Sequence, residues 1–112
     1  MDQPLVDKVA MREAAESACA LMKVLSNPDR MLLLCELAEG ERNVGELQDA
    51  VGVQQPTLSQ QLAVLREENL VETRRDGKNI YYSIASPQAM AVLQVLYAQF
   101  CAPTGKTKKA RK

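Results

Sequence analysis

Residues 43–66 read NVGELQDAVGVQQPTLSQQLAVLR, and residues 70–85, a few positions on, read LVETRRDGKNIYYSIA. In the first stretch Asn43 or Val44 opens a short helix to about Ala50, with Leu47 and Val51 pointing inward. Gly52 supplies a sharp turn before Val53. A second short helix then begins at Gln55-Pro56-Thr57, with Pro in its first turn, and carries Leu58, Leu62 and Leu65 at helical spacing. Two short helices across a tight Gly-containing turn make a helix-turn-helix pattern. The second stretch changes to period two, and Asp76-Gly77 predicts a hairpin with a two-residue type I′ turn. That turn pairs Val71 with Tyr82, Thr73 with Ile80 and Glu72 with Tyr81, and it sets the like charges of Arg75 and Lys78 opposite each other.

Working outward, the apolar residues Ala14, Ala18, Leu21, Met22 and Leu25 recur with the helical period, which predicts a first helix over roughly Leu5 to Leu25. Asn27 is a good N-cap for a second helix with Pro28 at its first position, and Met31, Leu33, Leu34, Leu37 and Ala38 form its buried face. Gly40 is placed to stop it. Downstream, Ser86-Pro87 caps a last helix with the stripe Ala89, Leu93, Leu96, Tyr97 and Phe100. The order is α-α-α-α-β-β-α, mainly α with a β-hairpin wing: a winged helix-turn-helix domain over residues 1–102. The tail 103–112 holds five Lys or Arg and almost no apolar content, so a disordered basic tail is expected. The stripes of the first and last helices are wider than one small core needs, which predicts a homodimer built from them.

Composition narrows the function. The 112 residues, 46% hydrophobic and 25% charged, have the balance of one globular domain. There is no histidine, which removes the commonest general base and metal ligand; no Ser-His-Asp triad, Cys-His dyad or His-bearing zinc site is possible. Three cysteines at wide spacing, Cys19, Cys35 and Cys101, with no CxxC, fit neither a disulfide scaffold nor a zinc ribbon. Reduced thiols and a cytoplasmic chain without catalytic residues are the expectation. The zero net charge conceals a split: residues 1–73 carry six basic and thirteen acidic side chains, residues 74–112 eight and one. Such asymmetry suggests that one part of the chain meets a polyanion, while the overall charge balance gives nucleic acid no support by itself.

On that topology the second short helix enters the major groove of double-stranded DNA and the hairpin reaches along its backbone. Gln54, Gln55, Thr57, Ser59, Gln60 and Gln61 lie on or next to its early turns; amides pair bidentately with adenine, and hydroxyls contact phosphate or bases. The wing offers Arg74, Arg75 and Lys78 to phosphates. A winged-helix module that binds only protein remains an alternative, since the fold serves both uses.

Several of these stretches together resemble the ArsR family of dimeric winged helix-turn-helix repressors. They are Leu25-Ser26-Asn27-Pro28-Asp29-Arg30, Val44-Gly45-Glu46-Leu47, the block Gln55 to Arg66, Leu70-Val71, and Arg74 to Lys78 with Tyr81-Tyr82. The resemblance covers about residues 18–101 and implies a repressor that occupies a palindromic operator. Members typically carry Ser-x-His-Leu in the recognition helix, where this chain has Gln61, and commonly Ser at its N-cap, where it has Gln54. The family's Cys-x-Cys metal site is absent, since Asn43 to Leu47 occupies that helix, and its Asp/His zinc site is absent for want of His. What remains is Cys35 in the second helix and Cys101 at the end of the last. This pair is similar to that of the dithiol, BigR-like branch, and the similarity implies release of DNA when reactive sulfur species or an oxidant link the two. Arsenite or another thiophilic metal is the alternative effector. Glu36 and Glu39 beside Cys35, and the helix C-terminus at Cys101, are expected to raise both thiol pKa values. Cys19 is expected to be a small core hydrophobe. No cofactor is implied.

Overall fold

The structure, a computed structural model, describes residues 7–101. Helix α1 spans Lys8–Leu25 and is capped by Asp7, whose carboxylate accepts from the Ala10 N–H at 2.7 Å. Helix α2, Pro28–Leu37, is capped by Asn27 and starts on the expected proline. Strand β1, Arg42–Asn43, comes next and was not expected: two residues ahead of a helix carry no alternation to read. Asn43 then caps α3, Val44–Val51, in a full capping box with Glu46. Gly52 ends that helix at φ 74°, where a side chain would be strained. Helix α4, Thr57–Glu67, is followed by β2, Val71–Asp76, by β3, Asn79–Ile84, and by α5, Pro87–Phe100, capped by Ser86.

The three strands form one antiparallel sheet in the order β1-β3-β2. Its hairpin register differs from the expected one by two residues: Val71 faces Ile84, Thr73 faces Tyr82, and Arg75 faces Ile80. The turn is Gly77-Lys78, with Gly77 at φ 64° and Lys78 at negative φ, which is the type II′ pattern rather than I′. A slip of two leaves every side chain on its own face, so alternation cannot tell the two registers apart. The observed one pairs buried Val71 with apolar Ile84 and takes Lys78 away from Arg75.

Leu33, Leu34, Leu47, Leu58, Leu62 and Leu65 are fully buried where α2, α3 and α4 meet, and Val71, Ala89 and Leu93 extend this core toward β2 and α5. Truncating one such leucine to alanine costs about 2–5 kcal/mol. Within α1 only Val24 and Leu25 are buried, while Met11 and Met22 are exposed. Cys19 is exposed too, contrary to its expected place in the core, because the chain itself puts no element against the middle of α1. Along α5 the inward stripe ends at Leu93: Tyr97 is 53% exposed and Phe100 80%. No helix of the described residues is long and apolar enough to cross a membrane. The basic tail 103–112 lies outside the described residues.

Candidate DNA interface and cysteine pair

Helix α4 presents its buried row, Leu58, Leu62 and Leu65, to the core, so Ser59 and Gln60 face solvent by geometry. Pro56 stands at its N-cap without a side chain to offer, and Gln55 supplies what is missing: its Oε1 accepts from the Ser59 N–H at 3.1 Å and from the Ser59 hydroxyl at 2.7 Å. Gln54 accepts from Gln48 of α3 at 2.8 Å, which ties the turn between the two helices. Thr57 is half-buried. Gln61 is half-buried as well, and its Oε1 accepts from Nη1 of Arg30 at 3.0 Å. Arg30 also donates through Nε to the Val24 carbonyl at 2.7 Å. One guanidinium therefore joins α1, α2 and α4. The residues foreseen on the reading helix are gathered on one short stretch, and of its four glutamines Gln54, Gln55 and Gln61 have their amide oxygens engaged within the protein.

The wing is less uniform than its sequence. Arg74 lies in a fork on the Glu41 carboxylate, Nε to Oε2 at 2.9 Å and Nη2 to Oε1 at 2.8 Å, with Asp76 at 3.8 Å. Its guanidinium also sits 4.9 Å from the Tyr81 ring centroid, within cation–π range. The hydrogen bonds and charge of Arg74 hold the Glu41 carboxyl below its usual pKa. Arg75 and Lys78 are exposed and form no ion pair among the described residues. At the wing's far edge Arg42 of β1 pairs with Glu36 of α2 at 3.1 Å, anchoring the sheet to the helical body. Arg30 and Glu41 were not singled out from sequence; their bonds to Gln61 and Arg74 reach across 31 and 33 residues and leave no local signal.

Cys35 is half-buried on α2 and faces α5 across a cavity of about 350 Å³ lined by Glu39, Met90, Gln94 and Tyr97. Cys101 caps α5 one turn beyond Tyr97, whose carbonyl accepts from its N–H at 2.8 Å. Burial pushes the Cys35 thiol pKa up, and the negative charge of Cys101 pushes it further in the same direction. Two cysteines far apart in sequence are thus brought within electrostatic range. The expected direction at Cys35 is correct, but Glu36 and Glu39 are not its cause. Among the described residues no cluster of three or more Cys, Asp or Glu is arranged to hold a metal ion.

These features match known proteins closely. The model of the arsR family of bacterial regulatory proteins matches residues 27–73, from the cap of α2 into β2. A biofilm growth-associated repressor of Agrobacterium fabrum is 49% identical over 94 residues, which is 84% of this chain and 80% of the relative. The transcriptional activator HlyU of Vibrio cholerae is 34% identical over 91 residues, 81% of this chain and 84% of its own. The crystal structure of the transcriptional repressor BigR from Xylella fastidiosa aligns at a TM-score of 0.80 and 46% identity, covering 88% of this chain and 100% of that one. All three are regulators of transcription, their sequence similarity spans both the helix-turn-helix and the wing, and the chain belongs to the arsR family of bacterial regulatory proteins.

Proposed function

We propose that the protein is a homodimeric, DNA-binding transcriptional repressor that leaves its operator when Cys35 and Cys101 become linked. Repression is favoured over activation by the higher identity to repressors, 49% and 46%, than to the HlyU activator, 34%. For DNA, the support is the exposed polar side chains Gln54, Gln55, Ser59 and Gln60 at the start of the second helix of the motif, together with an exposed pair of cations, Arg75 and Lys78, on the wing.

For the dimer, the support is surface that the chain leaves uncovered. Met11 and Met22 on α1 and Val95, Tyr97 and Phe100 on α5 are exposed apolar side chains, and a groove of about 650 Å³ runs between the two helices past Ala14, Ala18, Leu21 and Val92. The radius of gyration is 16.7 Å, against about 13 Å for a compact domain of 100 residues. A two-fold axis through α1 and α5 sets the two reading helices against half-sites about one helical turn apart.

What supports the switch is that Cys35 on α2 borders a cavity against α5, the helix that ends at Cys101. Cys101 is exposed and meets the effector first; its thiolate attacks a sulfane sulfur of a polysulfide, giving a persulfide on Cys101 and a polysulfide one sulfur shorter. The Cys35 thiolate then attacks the Cys101 sulfur and expels hydrosulfide, leaving a disulfide, so that the polysulfide is the oxidant and both thiol protons go to solvent. If a second polysulfide takes up the electron pair, the sulfane sulfur stays in the bridge and the resulting trisulfide spans a wider gap, since a direct disulfide needs Cα atoms within about 7 Å. The link pulls α5 onto α2, whose Arg30 holds α4, and repacks the end of the helix that carries the dimer face. Anisotropy of a labelled operator duplex, with intact mass taken on the same samples, tests this: release should track the appearance of the linked species.

A further inference from the structure

Arg30 stands where three helices meet, and both its backbone and its side chain are held. Its N–H donates to the Asn27 side-chain oxygen at 3.0 Å as part of the α2 cap. Its guanidinium answers a need that the sequence creates. Val24 is buried in the last turn of α1, and the residue four positions on, whose N–H would satisfy the Val24 carbonyl in a continuing helix, is Pro28, which has none. Arg30 Nε supplies that donor at 2.7 Å. The same planar group reaches the reading helix through Nη1, 3.0 Å from Gln61 Oε1, one turn into α4. Among the described residues no carboxylate pairs with Arg30, so its donors go to position rather than to an ion pair. Gln61 keeps a second lone pair and its NH2 group, and its own reach toward a base is left intact.

The two acceptors lie on elements with different tasks. Helix α1 carries part of the exposed apolar face assigned above to the dimer, and α4 is the helix set against the groove. Leu58, Leu62 and Leu65 hold α4 to the core, but apolar burial is non-directional, whereas two donors at fixed angles on one planar group define orientation. Resting on the dimeric DNA-binding reading above, we propose that Arg30 is a positioning residue that locks α4 to the end of α1 and so sets the separation of the two reading helices across the dimer. Its effect falls on the spacing between half-sites, not on which bases are read. One inserted base pair moves a half-site by about 3.4 Å and turns it by about 35°. To follow, α4 must shift against α1, and the Arg30 joint resists that shift.

The test uses the full chain and a duplex of two half-sites that wild type selects from a random library, compared with the same duplex carrying one base pair more or one fewer between them. Anisotropy gives each Kd at several salt concentrations. The readout is the ratio between spacings, in which contacts to the bases cancel. Wild type should favour the selected spacing on the order of tenfold, and Arg30→Met should cut that ratio to about twofold with the salt slope unchanged. Gln61→Leu removes the α4 acceptor and should loosen the ratio alike, while the double variant should loosen it no further than either single change. Gln61→Glu still accepts from Nη1 and should keep the wild-type ratio. A merely stabilising role for Arg30 would lower affinity for all spacings together. If Arg30→Met fails to fold by thermal melt, Gln61→Leu against Gln61→Glu decides. A wild-type ratio in Arg30→Met or Gln61→Leu overturns the inference, as does indifference of wild type to spacing. An equal fall at every spacing with a shallower salt slope in Arg30→Met, the signature of a phosphate contact, overturns it too. Wild type that selects no sequence, or binds two half-sites no better than one, overturns the dimeric DNA-binding reading instead, and so is distinguishable from these outcomes.

Discussion

Arg74 and Glu41 are joined by two hydrogen bonds of 2.8 and 2.9 Å, a fork between the start of the wing and the segment that leads into β1. A bidentate pair of this kind fixes orientation as well as charge. It also means that one of the three wing cations is already matched before any phosphate arrives. Glu41→Gln should therefore release Arg74 toward DNA and steepen the dependence of log affinity on log salt by about one unit per additional phosphate neutralised. Titrating the wild type should give the same release at acid pH: the Glu41 pKa is lowered, so the pair is complete above the usual carboxylate range and is lost as pH falls through the lowered value. An unchanged salt slope in Glu41→Gln would show that Arg74 does not reach the backbone.

Arg75 and Lys78 have no such competitor among the described residues. Replacing either with Ala should flatten the salt dependence by about one unit for each phosphate no longer neutralised, with affinity falling alike for operator and random duplex. Arg74→Ala should flatten it less than Arg75→Ala. Equal effects from the two would mean that Glu41 yields to DNA freely.

The proposed dimer face is open to direct disruption by charge. Met22→Glu on α1 and Val95→Glu on α5 alter side chains that are 57% and 60% exposed, so the fold of each chain should survive. Placing a carboxylate in an apolar interface should convert the dimer to monomer in sedimentation at micromolar protein and reduce operator binding to that of a half-site. Wild-type dimer mass in both variants would place the interface elsewhere.

Cys35 and Cys101 can be checked against each other by pH. Because only thiolate is alkylated, the rate of Cys35 modification should rise with a midpoint above the ordinary thiol value. Cys101→Ser removes one of the two causes, the like charge, and leaves burial, so the midpoint should move down but remain raised. Peptide mass mapping after iodoacetamide at a series of pH values reads it. No movement would mean the two sulfurs do not sense each other.

The helices were legible because caps and periodicity agree locally: Asn27 with Pro28 and Ser86 with Pro87 each mark a start that the structure keeps, and of the two openings considered for α3, Asn43 or Val44, it is Asn43 that caps. The hairpin was legible in its faces and not in its register, since a slip of two preserves alternation and only the pairing of Val71 with Ile84 separates the choices. Strand β1 exists because β3 offers Tyr82 and Tyr81 as edge partners to Arg42 and Asn43, a relation settled in space rather than in two residues of sequence. The reading helix was recognisable from Leu58, Leu62 and Leu65, but the state of its glutamines was not: Gln61 looks like any solvent-facing amide until Arg30, 31 positions earlier, folds against it. Cys19 misled because it lies on an apolar stripe of α1 that this chain's own elements leave uncovered.

If the Cys35–Cys101 link lowers operator affinity, the direct measurement is the operator Kd of wild type, Cys19→Ser, Cys35→Ser and Cys101→Ser, each reduced and after sulfane-sulfur treatment. Reduced, all four should bind alike. After treatment wild type and Cys19→Ser should weaken on the order of tenfold to a hundredfold, as a coupling of this kind requires, while Cys35→Ser and Cys101→Ser should hold their reduced affinity. Release by Cys35→Ser equal to that of wild type would contradict a switch built on these two sulfurs.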